Sequence, residues 1–262
     1  PIQGISETLN IDYRTPKTLK DNHEEYEFLK ELNADLAIVC AYGQIIPENF
    51  LNLTKKGFVN IHASILPSWR GAAPIQRSIM NLDPETGISI MKIKKELDSG
   101  PVSNIYKIKI DQNQNAQEIS EKLSALAAEK ILDNVDDILE DKAKFIDQDH
   151  SKATYAKKID KEESRIDWDE DASKIIGKIN GLFPSPGASF SFNGERYKIL
   201  KAEIGNGIGQ VGEIISNQLE VACNKNQSIK ILEIQRQGKR PQKISEFMLG
   251  SQIKKGSKLS NV

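Results

Sequence analysis

The chain has 262 residues, 38% of them hydrophobic and 28% charged, with a net charge of −1. That length suits two compact domains better than one. The polarity is ordinary for a globular protein, no apolar run approaches the roughly 20 residues of a membrane-spanning helix, and Pro1-Ile2-Gln3-Gly4 lacks the basic-then-apolar start of a secretory signal.

In chain order, Asn22–Leu32 predicts a helix, its charged residues alternating with Tyr26, Phe28, Leu29 and Leu32. Asp35–Ala41 carries a continuous apolar run, the pattern of a strand buried on both faces of a parallel sheet. The loop Tyr42–Pro47 leads to a short helix over Glu48–Leu53, with Pro47 suited to its first turn. Gly57–His62 reads as a strand, Arg70–Met80 as a helix, Gly87–Ile93 and Val102–Ile110 as β segments, and Ala116–Glu140 as a long helix. This alternation predicts an α/β domain with a largely parallel sheet.

The pattern changes after Phe145. Asp147–Glu163 is polar and charged and reads as a linker, placing the domain boundary near residues 150–152. Asp171–Leu182 predicts a helix ended by Phe183-Pro184-Ser185-Pro186-Gly187. Ala188–Phe192 and Tyr197–Ala202 flank Asn193-Gly194, a strong hairpin signal. Gln210–Ser216, Leu219–Cys223 and Ile229–Gln235 continue a series of short strands, so residues 151–262 predict a small, OB-like β-barrel.

Charge is divided unevenly. Residues 151–262 hold 19 Lys and Arg against 13 Asp and Glu, a net of +6, whereas the rest holds 17 against 24, a net of −7. A basic second half points to a polyanionic partner; a chance imbalance on a solvated surface is the competing explanation. Lys157, Lys158, Lys161 and Arg165, with Arg236, Lys239, Arg240, Lys243, Lys254, Lys255 and Lys258, are candidate phosphate contacts. The two cysteines, Cys40 and Cys223, lie far apart in apolar contexts. They read as buried thiols of a cytoplasmic protein rather than a disulfide or a metal site.

The chemistry concentrates in residues 60–77. On a strand, Asn60 and His62 project from one face, at the end where the chain leaves the sheet. A carboxamide beside an imidazole is a donor pair for the oxyanion of an acyl transfer. Alone, an Asn-x-His is weak, since most histidines are surface or packing residues. His23 and His150 sit in charged surroundings and read as solvated or structural. Leu97-Asp98-Ser99-Gly100 lies in a turn between two β segments; its carboxylate could orient His62 or accept a proton from an attacking amine. An Asp before Ser-Gly is also ordinary turn chemistry, and sequence alone does not bring Asp98 to His62. Tyr42-Gly43 follows a strand and could wall a pocket or simply turn the chain. Trp69 and Arg70 could reach a substrate or pack under a loop. No metal-ligand spacing, Walker loop or dinucleotide fingerprint occurs.

Asn60 to Arg77 resembles the signature of the 10-formyltetrahydrofolate-dependent formyltransferases. The resemblance gives Asn60, His62 and Asp98 the family's catalytic roles. It makes Ser64-Ile65-Leu66-Pro67 the folate-site loop, with Tyr42 and Gly43 walling the same pocket. Arg70-Gly71-Ala72-Ala73-Pro74-Ile75-Gln76-Arg77, Thr154–Ile159 and Arg165–Trp168 narrow it to the branch that formylates methionyl-tRNA. That branch implies a Rossmann-like catalytic domain over residues 1–150 and a tRNA-binding domain over 151–262, with Lys157, Lys158, Arg236 and Arg240 on the tRNA. It also implies 10-formyltetrahydrofolate as formyl donor, initiator methionyl-tRNA as partner, no metal, no membrane and a monomer. A formyltransferase or formyl-folate hydrolase for a small amine, nucleotide or sugar is the alternative, and a non-catalytic RNA-binding remnant a second. Glu96 stands where the family usually has Gly, and Ser185 where Trp is common between two prolines. The family's opening strand, turn, helix and basic loop have no counterpart, the chain starting at what resembles the next helix, Pro1–Leu9. The catalytic domain is thus expected to be N-terminally incomplete.

Overall fold

The computed structural model describes residues 2–259. Their elements run α1 (Ile2–Leu9), α2 (His23–Glu31), β1 (Ala37–Cys40), α3 (Glu48–Leu51), β2 (Phe58–His62), β3 (Arg70–Gly71), α4 (Pro74–Met80), β4 (Glu85–Lys92), β5 (Val102–Lys109) and α5 (Ala116–Leu139). Then come β6 (Tyr155–Ala156), α6 (Ala172–Gly181), β7 (Ser189–Phe192), β8 (Glu195–Ile204), β9 (Glu220–Cys223), β10 (Gln227–Arg236), β11 (Gln242–Lys243) and α7 (Ile244–Gly250). Pro1, the first residue of the expected first helix, lies outside the described residues. No described helix is long and apolar enough to cross a membrane.

The chain forms two compact units. One gathers the chain up to His62 with Ile90–Asn104 and Ile131–Gln148; the other gathers Ala63–Ser89, Ile105–Lys130 and the chain from Asp149 on.

In the first unit, α2 begins at Asn22, whose side chain accepts the Glu25 amide at 3.2 Å and satisfies one of the helix's orphan donors. Glu24 and Glu25 in its first turn and Lys30 in its last complement the helix dipole. β1 and β2 pair in parallel, Val39 opposite Asn60. They open a sheet of order β1-β2-β4-β5. Contrary to the sequence expectation, β1 is not buried on both faces. It is an edge strand with alternating burial, and Ile38 is 48% exposed. Strand alternation is normally visible in sequence, but here every position is apolar, so the pattern hides it. Cys40 is likewise exposed rather than buried.

In the second unit, the expected helix from Arg70 starts only at Pro74. Arg70-Gly71 instead pairs in parallel with Tyr155-Ala156. The Ala72 and Ala73 amides donate to the Ala156 carbonyl at 2.8 and 3.2 Å. Gly71 has φ +120°, and a Cβ there would lie 2.8 Å from that carbonyl oxygen, so this approach requires glycine. Pro74, lacking an N–H, then sits at the first turn of α4. The expected linker is thereby ordered. β6 and short 3-10 turns at His150–Lys152 and Glu162–Ser164 run through it, and Ala156 is buried.

The C-terminal part has the predicted hairpin between β7 and β8. Asn193 and Gly194 have φ +50° and +77°, the positive pair a type I′ turn requires. An antiparallel sheet of order β11-β10-β8-β7, with β9 on β10, curls into an open half-barrel. Its core joins Trp168, Ile175, Ile179 and Leu182 to Ile199, Val221 and Ile231. Gln210–Ser216, expected as a strand, makes only isolated bridges at Glu213 and Ile214. Gly212 beside them has φ +78°, outside the extended region.

Candidate functional site

β2 carries two of the expected groups. Phe58 and Val59 are buried and fix its register, and alternation puts Asn60 and His62 on one face at its C-terminal end. The His62 side chain is 6% exposed, and its Nδ1 stands 3.6 Å from Oδ2 of Asp98, itself 14% exposed. That is an ion-pair spacing slightly longer than a hydrogen bond. Asp98, which sequence alone could not connect to His62, is thus beside it within one unit.

Asp98 sits in a tightly held turn. Its φ of +47° is left-handed, a region Asp tolerates better than most residues. Ser99 donates its hydroxyl to the Glu96 carbonyl at 3.1 Å. A Cβ at Gly100 would fall 1.8 Å from the Lys92 carbonyl oxygen, so only glycine fits there. The carboxamide of buried Gln148 donates to the Asp98 carbonyl at 2.9 Å and the Gly100 carbonyl at 2.7 Å. Nothing in the polar stretch around Gln148 singles it out in sequence.

The Ser64–Pro67 loop belongs to the second unit. Ser64 donates to the Ser68 carbonyl at 2.6 Å, and the Ser68 amide donates to the Ile65 carbonyl at 3.0 Å. The Leu66–Pro67 peptide is cis. Ser89, fully buried in β4, bridges the loop: its hydroxyl donates to the Ser64 carbonyl at 2.7 Å and accepts the Leu66 amide at 3.1 Å. Sequence reading passed over Ser89. The available signal was a hydroxyl inside the apolar stretch Gly87–Met91, where it must find a partner. Trp69 and Arg70 pack instead of projecting. Trp69 Nε1 donates to Asp83 at 2.7 Å, and the Arg70 guanidinium, 2% exposed as a residue, lies 3.3 Å from His150 Nδ1.

In the first unit, Tyr42 and Gly43 lie in an exposed loop, tethered where Gln44 donates to the Lys17 carbonyl at 2.9 Å. Among the basic candidates, Lys157 and Lys158 are exposed and help line a cavity of about 400 Å³ with Arg77, Tyr155, Asp160 and Glu163. Arg77 holds this wall together, donating to the Lys157 and Lys158 carbonyls at 3.1 and 3.2 Å and to Glu163 at 2.5 and 2.9 Å. The guanidinium keeps the Glu163 carboxyl below the usual range. Arg236 is engaged with Glu195, whereas Arg240 is exposed beyond β10. No cluster of three or more His, Cys, Asp or Glu able to hold a metal occurs among the described residues.

Residues 4–135 match the formyl transferase family and residues 158–252 the formyl transferase C-terminal domain. A methionyl-tRNA formyltransferase of Pelagibacter ubique is 66% identical over 262 residues, covering 100% of this chain and 84% of the relative. The chain belongs to the methionyl-tRNA formyltransferases. The formyltransferase fold recurs in solved structures at lower identity. WlaRD, a sugar 3N-formyl transferase solved with dTDP and 5-N-formyl-THF, has a TM-score of 0.70 at 20% identity, over 91% of this chain and 82% of its own. HypX of Aquifex aeolicus, solved with tetrahydrofolic acid, has a TM-score of 0.67 at 18% identity, over 89% of this chain and 41% of its own.

Proposed function

We propose that this formyltransferase moves the formyl group of 10-formyltetrahydrofolate to the α-amine of initiator methionyl-tRNA, in the cytoplasm and as a monomer, for translation initiation. The observation that carries the reading is the His62–Asp98 pair, 3.6 Å apart at the end of the strand that also bears Asn60, in a chain that is 66% identical, along all of its 262 residues, to a relative of that name. Residues 1–150 are assigned to formyl transfer and residues 151–262 to the tRNA. Ser64, Ile65, Leu66 and Pro67, with Tyr42 and Gly43, are assigned to folate contacts.

The neutral amine attacks the formyl carbon, a C–N bond forms, and the carbonyl electron pair moves onto oxygen. The Asn60 carboxamide and the His62 imidazole donate hydrogen bonds to that oxyanion. Nδ1 faces Asp98, which orients the ring toward the reacting carbonyl. Catalytic hydrogen bonds are often long before substrate binds and tighten in the complex, which fits the present 3.6 Å. Asp98 holds the ring and takes the proton the amine must lose. Collapse breaks the bond from the formyl carbon to N10, which gains a proton as tetrahydrofolate leaves.

The test is single-turnover transfer at saturating substrates with Asn60→Ala, His62→Ala and Asp98→Ala. Each is expected to lose on the order of a hundredfold or more while remaining folded. A near-normal rate for His62→Ala overturns the mechanism. Faster transfer to an amino sugar than to charged initiator tRNA overturns the substrate.

A further inference from the structure

We infer that Gln148 is a positioning residue for formyl transfer: its carboxamide clamps the turn that presents Asp98 to His62. The inference rests on the role proposed above for Asp98.

One amide nitrogen has two hydrogens, and Nε2 of Gln148 uses them on two carbonyls of the same turn, those of Asp98 at 2.9 Å and Gly100 at 2.7 Å. Tying carbonyls two residues apart to one planar group fixes the Asp98–Ser99 and Gly100–Pro101 peptide planes, on either side of the Ser99-Gly100 pair. Such a hold is needed there, because Asp98 occupies the left-handed region at φ +47° and such residues persist only where their surroundings impose them. The turn is confined on another side as well, since the Gly100 backbone lies too close to the Lys92 carbonyl to admit even a methyl group.

Gln148 is itself anchored. Two residues before it, Ile146 exchanges both backbone hydrogen bonds with Val102, at 2.8 and 2.9 Å. That bridge fastens the segment to the first residue of β5, just past the turn. Gln148 is only 8% exposed, so water competes poorly for its two hydrogen bonds.

The consequence falls on the His62–Asp98 spacing. At 3.6 Å, a movement of a few tenths of an ångström toward His62 makes a hydrogen bond and a similar movement away abolishes the pairing. Gln148 acts on catalysis through that distance.

Gln148→Glu keeps the size but removes both donors and sets a carboxylate against two carbonyl oxygens. Gln148→Met removes the donors without adding charge. Both are made in the wild-type and Asp98→Ala backgrounds of the full chain, and kcat and KM are measured with 10-formyltetrahydrofolate and initiator methionyl-tRNA. Expected is a fall in kcat of roughly tenfold to a hundredfold, the scale of a small misplacement at a reacting centre. KM for both substrates stays within about twofold and the melting transition remains cooperative. In Asp98→Ala, the same Gln148 change costs less than about twofold more, because residues acting as one unit are non-additive. Wild-type kcat in a folded Gln148→Met chain overturns the clamp while leaving the Asp98 assignment standing. Equal losses in both backgrounds also overturn it. Full activity in Asp98→Ala removes the Asp98 role and the clamp with it.

Discussion

Replacing Ser89 with alanine tests how the Ser64–Pro67 loop is held. The change deletes one oxygen and breaks two hydrogen bonds, from the hydroxyl to the Ser64 carbonyl at 2.7 Å and from the Leu66 amide to the hydroxyl at 3.1 Å. Ser64 is fully buried and Leu66 is 4% exposed, so water does not readily replace the lost partner. An unsatisfied buried polar group costs about 1–3 kcal/mol. Two of them, with partial relaxation of the loop, give about 3 kcal/mol. Both tryptophans, Trp69 and Trp168, lie in the same unit as Ser89, so their fluorescence in urea reports the relevant transition. The midpoint is expected to fall by about 1 M. KM for the formyl donor should rise in parallel, since the loop is assigned to folate. Ser78→Ala, in the same unit, is the control: its hydroxyl's single bond to the Ile75 carbonyl, at 3.0 Å, should cost about 1 kcal/mol or less. A Ser89→Ala chain as stable as Ser78→Ala, with an unchanged donor KM, would refute the reasoning.

Thiol labelling should distinguish the cysteines: Cys40 is exposed and reacts in the native protein, whereas burial pushes the Cys223 thiol up to about 12 and protects it until urea unfolds the chain. Two labelled sites under native conditions would contradict this. Glu163→Gln should destabilise by about 1.5 kcal/mol at pH 7, by weakening its charge-assisted bonds with Arg77. Because the folded carboxyl titrates below its usual value, that contribution is complete above about pH 4.3, the unfolded value. It is lost as pH falls through the lower folded value, so the gap between variant and wild type should close only in acid; a gap that is already closed at pH 5 would count against the pair. Reversing Lys157 and Lys158 should flatten the salt dependence of tRNA binding by about one unit per lost phosphate contact. Arg236, already engaged with Glu195, should contribute less than Arg240; an unchanged slope after reversing both lysines would remove the tRNA assignment from them.

Local chemistry was the most legible part of this chain. Asn193-Gly194 announced its hairpin because few residue pairs accept two positive φ values. The long helix α5 was readable from apolar spacing that buries Ile119, Leu123 and Ala127. Asn115 and Glu118 also cap it reciprocally, at 2.9 and 3.0 Å. The common face of Asn60 and His62 followed from strand geometry alone. What escaped was non-local. The β3–β6 pairing uses backbone groups, which carry no side-chain signature, so Asp147–Glu163 read as a linker and Arg70–Ala73 as helix. The exposure of β1 depends on which strands flank it, not on its apolar composition. Gln148 acts through a carboxamide in a polar stretch, where nothing distinguishes a buried amide from a solvated one.

The β3–β6 pairing also sets an order of assembly. Four backbone amides, those of Trp69, Arg70, Ala72 and Ala73, donate to acceptors on Thr154 and Ala156. Trp69 and Thr154 are 85 residues apart. A chain leaving the ribosome N-terminus first therefore exposes these donors long before their acceptors have been made. At roughly 5–20 residues per second the wait is on the order of ten seconds. Throughout it, the stretch leading into α4 stays in water, with its glycine free and its proline unable to donate. The turn closes only after α5 has been completed, so the segment written early in the gene is among the last to take its shape, and a nascent chain halted before Ala156 cannot form it.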